Sequence, residues 1–310
     1  MKPLRFAGTG LFLWLGAMPA FAHGDEAGGP RNFADLASDW GREPGSIVFL
    51  AILALLYGCG LFRLRRISPR LIPRSDIAFF TAGWLVLFVA LASPLHEWGE
   101  VLFSAHMIQH ELLMLVAAPL LVLGRPAAVL LHGLPKGSAA GLTRWAKGAG
   151  WGHIASIVTR PFAAWLIHAA VLWAWHAPFL FQAATKNDGV HFLQHASFLG
   201  SALLFWWAVI HGRQRALGFG AAVLYMFGTA IHSGLLGALL TFSGSVWYPI
   251  YSETTAPWGL TPLQDQQLGG LIMWIPAGLV YVLAGLLLLV GWMRESERRV
   301  RRREAERTKV

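Results

Sequence analysis

Long apolar runs separated by short polar connections dominate this chain from about residue 45 onwards. Seven runs are long enough to be membrane-spanning helices, because roughly 20 apolar residues cross the hydrocarbon core of a bilayer. Their approximate limits are 46–62, 77–93, 101–123, 161–178, 189–210, 216–242 and 266–292. The pattern predicts an all-α fold, a polytopic transmembrane helix bundle that occupies residues 46–292.

The first 22 residues have the pattern of a cleaved secretory signal peptide. Lys2 and Arg5 precede an apolar core, and a small-x-small cleavage site ends at Ala22. Cleavage there makes His23 the first mature residue, whose amine and imidazole together chelate copper. A histidine that merely follows the cleavage site is the favoured interpretation. Residues 23–45 are polar and acidic, and predict an extracytoplasmic lead.

The basic residues fix a predicted orientation for the seven runs. Twenty of the 25 Lys and Arg residues follow the first, third, fifth or seventh run, and eight of these lie in the tail 293–310. Because basic residues concentrate on the cytoplasmic side, we expect the N-terminus outside and the C-terminus inside a bacterial inner (plasma) membrane. The basic tail then contacts anionic membrane lipid, so the net charge of +9 does not indicate a nucleic-acid partner.

Composition excludes several classes of protein. The chain is 55% hydrophobic and only 13% charged, whereas about a quarter of the residues in a soluble domain are charged. Its one cysteine, Cys59, rules out an intramolecular disulfide and a Cys-x-x-Cys metal relay. It has no Gly-rich phosphate loop and no GxSxG motif, so the sequence predicts no enzyme.

Histidine is the residue type that the membrane prediction leaves unexplained. The pattern His-x-x-Gln-His occurs at 106–110 and again at 191–195, and a spacing of four places both imidazoles on one helix face. Seven histidines fall in the outer half of the predicted bundle: His106, His110, His168, His176, His191, His195 and His232. Their depths predict a deeper layer of His110, His168 and His232 below the other four.

These seven histidines predict a metal site. A single membrane histidine commonly forms a hydrogen bond to a neighbouring helix, but seven on one side of a bundle favour metal binding. Imidazole binds copper, zinc, iron and nickel. Residues expected to assist are Gln109 and Gln194 as orienting partners, Glu111 as a charge partner, and Met107, Met114, Met226 and Met273, whose commonest use is core packing.

Other polar and aromatic residues of the outer side receive simpler interpretations. His96, in the connection before the third run, is predicted to lie in a solvated turn, with weak metal capture as the alternative. Asp265 is predicted to be a solvated helix cap, with a charge partner of the metal site as the alternative. The aromatic residues of the long connection 243–267 predict first an interfacial belt and second a docking surface: Trp247, Tyr248, Tyr251 and Trp258. No role is predicted for the inner-side histidines His132, His153 and His211.

Four blocks of the chain resemble the CtaG family of caa3-type cytochrome c oxidase assembly factors. They are His106-Met-Ile-Gln-His110 with Pro119–Pro126, Trp173–Pro178, His191–His195 and Asp265–Trp274. The resemblance implies a multi-pass plasma-membrane protein that helps to mature cytochrome c oxidase by supplying copper to its catalytic centre. It assigns no ligands, so the metal-site residues rest on the spacing argument alone.

Three functions follow from these observations. In the first, outer-side histidines hold copper from an extracytoplasmic donor and pass it to a haem-copper oxidase subunit. In the second, the protein imports copper, and in the third it carries electrons through a haem b held by facing histidines. Import predicts polar residues in the inner half of the bundle; the sequence offers few there, which favours assembly.

Overall fold

The computed structural model describes residues 40–41, 44–135, 137–212 and 218–307. The predicted signal peptide, His23 and most of the predicted lead lie outside the described residues. Within the described ranges every regular element is helical, which confirms the all-α prediction. The long apolar helices make this a membrane protein.

The long helices cover the predicted apolar runs, and the first and the last continue beyond them, to Ile67 and Arg307. In chain order they are α1 (Pro44–Ile67), α2 (Arg74–Ala92), α3 (Leu95–Val101), α4 (Phe103–Glu111), a π-helix (Leu112–Ala117), α5 (Ala118–Leu123), α6 (Ala127–Gly133), α7 (Ser138–Gly148), α8 (Trp151–Val158), α9 (Pro161–Trp175), α10 (Pro178–Lys186), α11 (Asp188–Ile210), α12 (Gly218–Thr241) and α13 (Pro262–Arg307). Two short 3₁₀ turns, Pro249–Tyr251 and Ala256–Trp258, lie between α12 and α13.

Six of the seven predicted spans are long and apolar enough to cross a membrane in the described part of the chain. The exception is the fourth, where α9 has 15 residues and a length of about 22 Å, against about 30 Å of hydrocarbon. It is long and apolar enough to cross a membrane only together with α8, and α8 is bent away from it by 81°. The predicted span 161–178 begins where α9 begins but extends three residues beyond its end, since α9 ends at Trp175 and α10 begins at Pro178.

The third span is the most enclosed of the bundle, with 61% of its apolar window buried against 22% for α1. It changes from α-helix to π-helix directly after the histidine-bearing turn. Pro119 follows and has no N–H to donate to Leu115, and Trp206 of α11 donates its indole N–H to the carbonyl of Met114 at 2.9 Å. The histidines of α4 thus precede an irregular turn that α11 supports.

Candidate metal centre

Three histidines converge at one end of the bundle, the end that the sequence predicts to be the outer one. His106 of α4 and His191 and His195 of α11 each offer one ring nitrogen, and these three atoms lie within 4.8 Å of one another. The ring centroids of His191 and His195 are 4.2 Å apart, because they are one helical turn from each other. His106 is buried, whereas His191 is half-buried, so His191 is the member that connects the group to the protein surface. We refer to His106, His191 and His195 as the outer triad.

Backbone carbonyls set the proton position on two of the site's rings. His106 places Nδ1 3.3 Å from the carbonyl of Gly99, and His176 places Nδ1 2.7 Å from the carbonyl of Leu172. A carbonyl only accepts, so each Nδ1 carries the proton and each Nε2 keeps a lone pair. A neutral imidazole with a free Nε2 is the form that binds a metal.

His110 and His176 extend the outer triad towards the bundle interior. The ring of His110 lies 4.4 Å from that of His106 and 5.3 Å from that of His195, and His176 lies 6.5 Å beyond His110. Both side chains are buried. Neither ring nitrogen of His110 has a hydrogen-bond partner among the described residues. A buried polar group without a partner is costly, and a bound cation would remove that cost.

His96 also belongs to this cluster, which corrects its predicted place in a solvated turn. It is 4% exposed, and its ring lies 5.3 Å from that of His191. The turn at Ser93-Pro94 and the extended residue Leu102 fold α3 back over α4, and the apolar pattern gave no signal for that reversal. Gln109 donates from Nε2 to the carbonyl of Ala90 at 2.7 Å and to Nδ1 of His96 at 3.1 Å.

The outer triad fits a metal ion in its chemistry and spacing. Imidazole nitrogens about 2.0–2.1 Å from one ion are about 3.3–3.6 Å apart, so the side chains must close by roughly 1 Å. Rotation about the side-chain bonds supplies a movement of this size. Gln194 is fully buried on α11 between His191 and His195 and lies beside His106, but neither of its amide atoms has a hydrogen-bond partner among the described residues, so its orienting role stays a prediction.

The connection between α12 and α13 covers this site, whereas its aromatic residues were predicted to form an interfacial belt. Tyr248 and Tyr251 are buried and donate their hydroxyls to the carbonyls of His176 (2.8 Å) and Gly99 (3.0 Å). Burial raises the pKa of both tyrosines, so the hydroxyls remain donors at neutral pH. Tyr248 stacks on Phe103 at the start of α4, with ring centroids 4.7 Å apart. The connection therefore closes over the cluster.

The other two predicted ligands, His168 and His232, lie apart from the outer triad. His168 of α9 contacts Ser201 and Phe205, and His232 of α12 contacts Trp165. His110 lies with the shallower histidines because one helical turn joins it to His106, so the predicted deeper layer of three is not formed. These groupings depend on how each helix is rotated about its own axis, and the depth of a residue in the membrane does not predict that rotation.

Of the residues expected to assist, the four methionines belong to the main apolar core: Met107, Met114, Met226 and Met273. Glu111 is half-buried near Tyr281 of α13, on a different side of α4 from His110. Asp265 is fully buried and caps α4 instead of its own helix, which corrects its prediction as a solvated cap. Its place is explained by the N–H groups at the start of α4, which need an acceptor.

The sequence matches the family described as "Cytochrome c oxidase caa3 assembly factor (Caa3_CtaG)" over residues 55–295. The chain belongs to this family. The match covers α2 to α12 and every histidine of the cluster, which confirms the resemblance found in the four sequence blocks. The family's description makes oxidase assembly the role of its members.

Related proteins of known sequence are found in mycobacteria. Uncharacterized proteins of Mycobacterium bovis and Mycobacterium tuberculosis are each 28% identical over 259 residues, which is 82% of this chain and 39% of theirs. An uncharacterized protein of Mycobacterium leprae is 23% identical over 275 residues, 87% of this chain and 42% of its own. This chain thus spans about two fifths of the length of the curated relatives it matches. No solved structure matches it.

Proposed function

We propose that this Caa3_CtaG member is a non-catalytic copper carrier for oxidase assembly: it binds copper at the outer triad and delivers it to a haem-copper oxidase subunit. The observation that carries the proposal is the convergence of three imidazole nitrogens within 4.8 Å at the closed outer end of the bundle. Family membership supplies the oxidase as the client.

The donor set suits a metal that must be passed on. Imidazole binds copper without the tight grip of paired thiolates, so exchange to another set of ligands remains possible. Cys59, the one cysteine, lies exposed on α1 and cannot form a dithiol site. His110, next to the outer triad and lacking hydrogen-bond partners among the described residues, is a fourth donor for the cargo.

The site faces the extracytoplasmic side in the proposed orientation. The protein crosses the inner membrane of a bacterium seven times, and α9 with the turn before α10 completes the short fourth crossing. The basic connections and the tail then lie in the cytoplasm. The half-buried His191 then opens towards the outer compartment, where a copper donor loads the site. The acceptor approaches through the bilayer.

Haem binding is disfavoured by the packing of the cluster. The rings of His106, His110 and His195 lie 4.4–5.8 Å from one another, so no porphyrin fits between them. Copper import, the remaining alternative, would change total cell copper instead of oxidase copper.

The test combines metal analysis with oxidase activity. His106→Ala/His195→Ala should lose copper in the purified protein and should lower haem-copper oxidase activity in cells at least about tenfold, with other respiratory complexes intact. Excess copper in the medium should partly restore activity by mass action. His153→Ala, a change at an exposed histidine of α8, is the matched control. Normal oxidase activity in the double variant would contradict the proposal, and altered cell copper with unaltered oxidase would favour import.

A further inference from the structure

A second histidine pair lies deeper in the bundle, where α9, α11 and α12 meet. It consists of His168 on α9 and His232 on α12, and we refer to it as the inner pair. His168 is eight residues before His176 on the same chain segment, which places it about 12 Å further from the outer surface. The ring of Phe198 contacts both His110 and His176, and its carbonyl accepts from Ser201, the residue beside His168.

The contacts of Trp165 place the two histidines at one level. Its indole N–H donates to the hydroxyl of Thr229 at 3.0 Å, which joins α9 to α12. His168 lies three residues after Trp165, and His232 lies three residues after Thr229. Both histidines are therefore one turn above this hydrogen bond, on helices that run in the same direction. The ring of Trp165 also meets that of His232 edge-on, with centroids 5.4 Å apart.

His168 is prepared as a nitrogen donor. The side chain is 2% exposed, and its Nδ1 lies 3.2 Å from the hydroxyl of Ser201. Ser201 donates its own proton to the carbonyl of Phe198 at 3.1 Å, so its oxygen accepts from Nδ1–H of His168. Nε2 of His168 therefore keeps its lone pair.

His232 lies at the edge of the bundle, yet its nitrogens are turned inward. Both ring nitrogens are buried, and neither has a hydrogen-bond partner among the described residues. Its neighbours on α12 face outwards: Phe227, Ile231 and Leu235 are each more than half exposed. An imidazole without partners in a lipid-facing helix is costly, and such residues usually serve binding or transport.

We propose that the inner pair is a second copper site, which takes Cu(I) between Nε2 of His168 and one nitrogen of His232 and from which the metal leaves sideways to an acceptor helix in the membrane. Two neutral nitrogen donors suit Cu(I), which is stable with two ligands. Copper reaches this site as Cu(I); each nitrogen–copper bond formed here replaces a bond to an earlier donor that breaks, and no electron is transferred. The inference rests on the proposed function, because the outer triad supplies the metal.

The position of the inner pair explains how a client can be reached. The outer triad lies beneath the covering connection, where Tyr248 donates its hydroxyl to the carbonyl of His176. His232 is half-buried on α12 beside the exposed Ile231 and Leu235, so a membrane helix that packs on these residues comes close to its ring. An incoming donor from the client can therefore replace His232 first and His168 second.

Copper binding to the full chain in detergent gives the direct test. Cu(I) alone, buffered by a chromogenic chelator without oxygen, should load about two equivalents per wild-type chain. His168→Leu/His232→Leu should load about one, and X-ray absorption should lose its two-coordinate nitrogen component. His153→Leu should match the wild type. Two equivalents in the inner-pair variant would overturn the inference.

The single variant His232→Leu tests whether a loss of copper in the double variant is caused by misfolding. Because His232 makes no hydrogen bond among the described residues, its replacement by leucine should leave the thermal unfolding temperature unchanged or raised. Copper at the outer triad should remain while oxidase activity in cells falls at least about tenfold. Full oxidase activity with His232→Leu would also overturn the inference.

The two proposals fail in different ways. If the outer-triad variant His106→Ala/His195→Ala keeps all its copper, the proposed function fails, whatever the inner pair does. If that variant loses copper and oxidase activity while His168→Leu/His232→Leu keeps both, only the second site fails.

Discussion

Asp265 and Ser104 are 161 residues apart in sequence and are joined by two hydrogen bonds. One carboxylate oxygen of Asp265 accepts from the backbone N–H of Ser104 at 3.1 Å and from its hydroxyl at 2.5 Å. The other oxygen accepts from the N–H of Phe103 at 2.6 Å. A residue of α13 thereby caps α4, the helix that carries His106 and His110, and fixes where that helix begins.

Asp265→Ala should therefore weaken both the fold and the site. Loss of a buried cap leaves two N–H groups of α4 without an acceptor, which should cost about 1–3 kcal/mol in the free energy of unfolding. The unfolding temperature in detergent and copper affinity should both fall. Glu253→Ala, at an exposed carboxylate of the covering connection, should change neither. Unchanged copper affinity in Asp265→Ala would show that α4 holds its position without this cap.

Gln109 should control copper affinity without being a ligand. Its Nε2 bonds to the carbonyl of Ala90 and to His96 connect α2, α3 and α4 beside the outer triad. Gln109→Leu should lower copper affinity about 10–100-fold while stoichiometry is kept at saturating metal. Gln182→Leu, where the amide bonds only within α10, is the control. A lost equivalent of copper, in place of weakened affinity, would make Gln109 part of the ligand set.

Sequence analysis predicted the helices well because apolar length alone determines them. Runs such as 189–210 and 216–242 differ from α11 and α12 by at most two residues at either end. Two features of the third span were missed, although Pro119 was visible: the π-helix, and the break at Leu102 that separates α3 from α4. A proline removes one helical hydrogen bond, but the pattern does not say whether the chain kinks, breaks or widens there.

The site was harder to predict, because its grouping depends on contacts between distant segments. The repeated His-x-x-Gln-His pattern led to His106, His191 and His195, since each pair shares one helix face. His96 was assigned to solvent because nothing near it in sequence indicates that α3 folds back onto α4. Tyr248 was assigned to the membrane interface for the same reason: its partner, the carbonyl of His176, is 72 residues away.

Alkaline pH should open the covering connection. Burial raises the pKa of Tyr248 in the folded protein. In the unfolded chain this tyrosine releases its proton near pH 10, whereas the folded protein still keeps the hydroxyl neutral at that pH. Its contribution to stability is then fully present below about pH 10 and is lost as pH rises further. Unfolding temperature should fall above about pH 10, and Tyr248→Phe should reduce that fall at the cost of one hydrogen bond at neutral pH. An identical alkaline profile for both proteins would assign the effect to other groups.

Two glycines of α1 should respond oppositely to substitution. A Cβ at Gly60 would collide with the carbonyl of Val129 in α6, whereas a Cβ at Gly58 would meet nothing within 4 Å. Gly60→Ala should destabilise the protein by about 1–3 kcal/mol, because the two helices must move apart. Gly58→Ala should be neutral or stabilising by up to about 1 kcal/mol, since alanine is the better helix former. Equal thermal unfolding of the two variants would mean that α6 does not pack closely on α1.

The short fourth span decides the topology and can be tested directly. α9 begins at Pro161 after basic residues and is about 22 Å long, so it reaches the outer surface only with the turn at His176 and α10. If this segment crosses, reporter fusions after Arg66, Pro126 and Trp292 should all be cytoplasmic, and a fusion after Lys186 should be extracytoplasmic. With six crossings, the fusion after Lys186 would lie on the same side as that after Pro126. Because α11 begins directly after α10, that result would put His191 and His195 on the cytoplasmic side and would remove the outer entry route for copper.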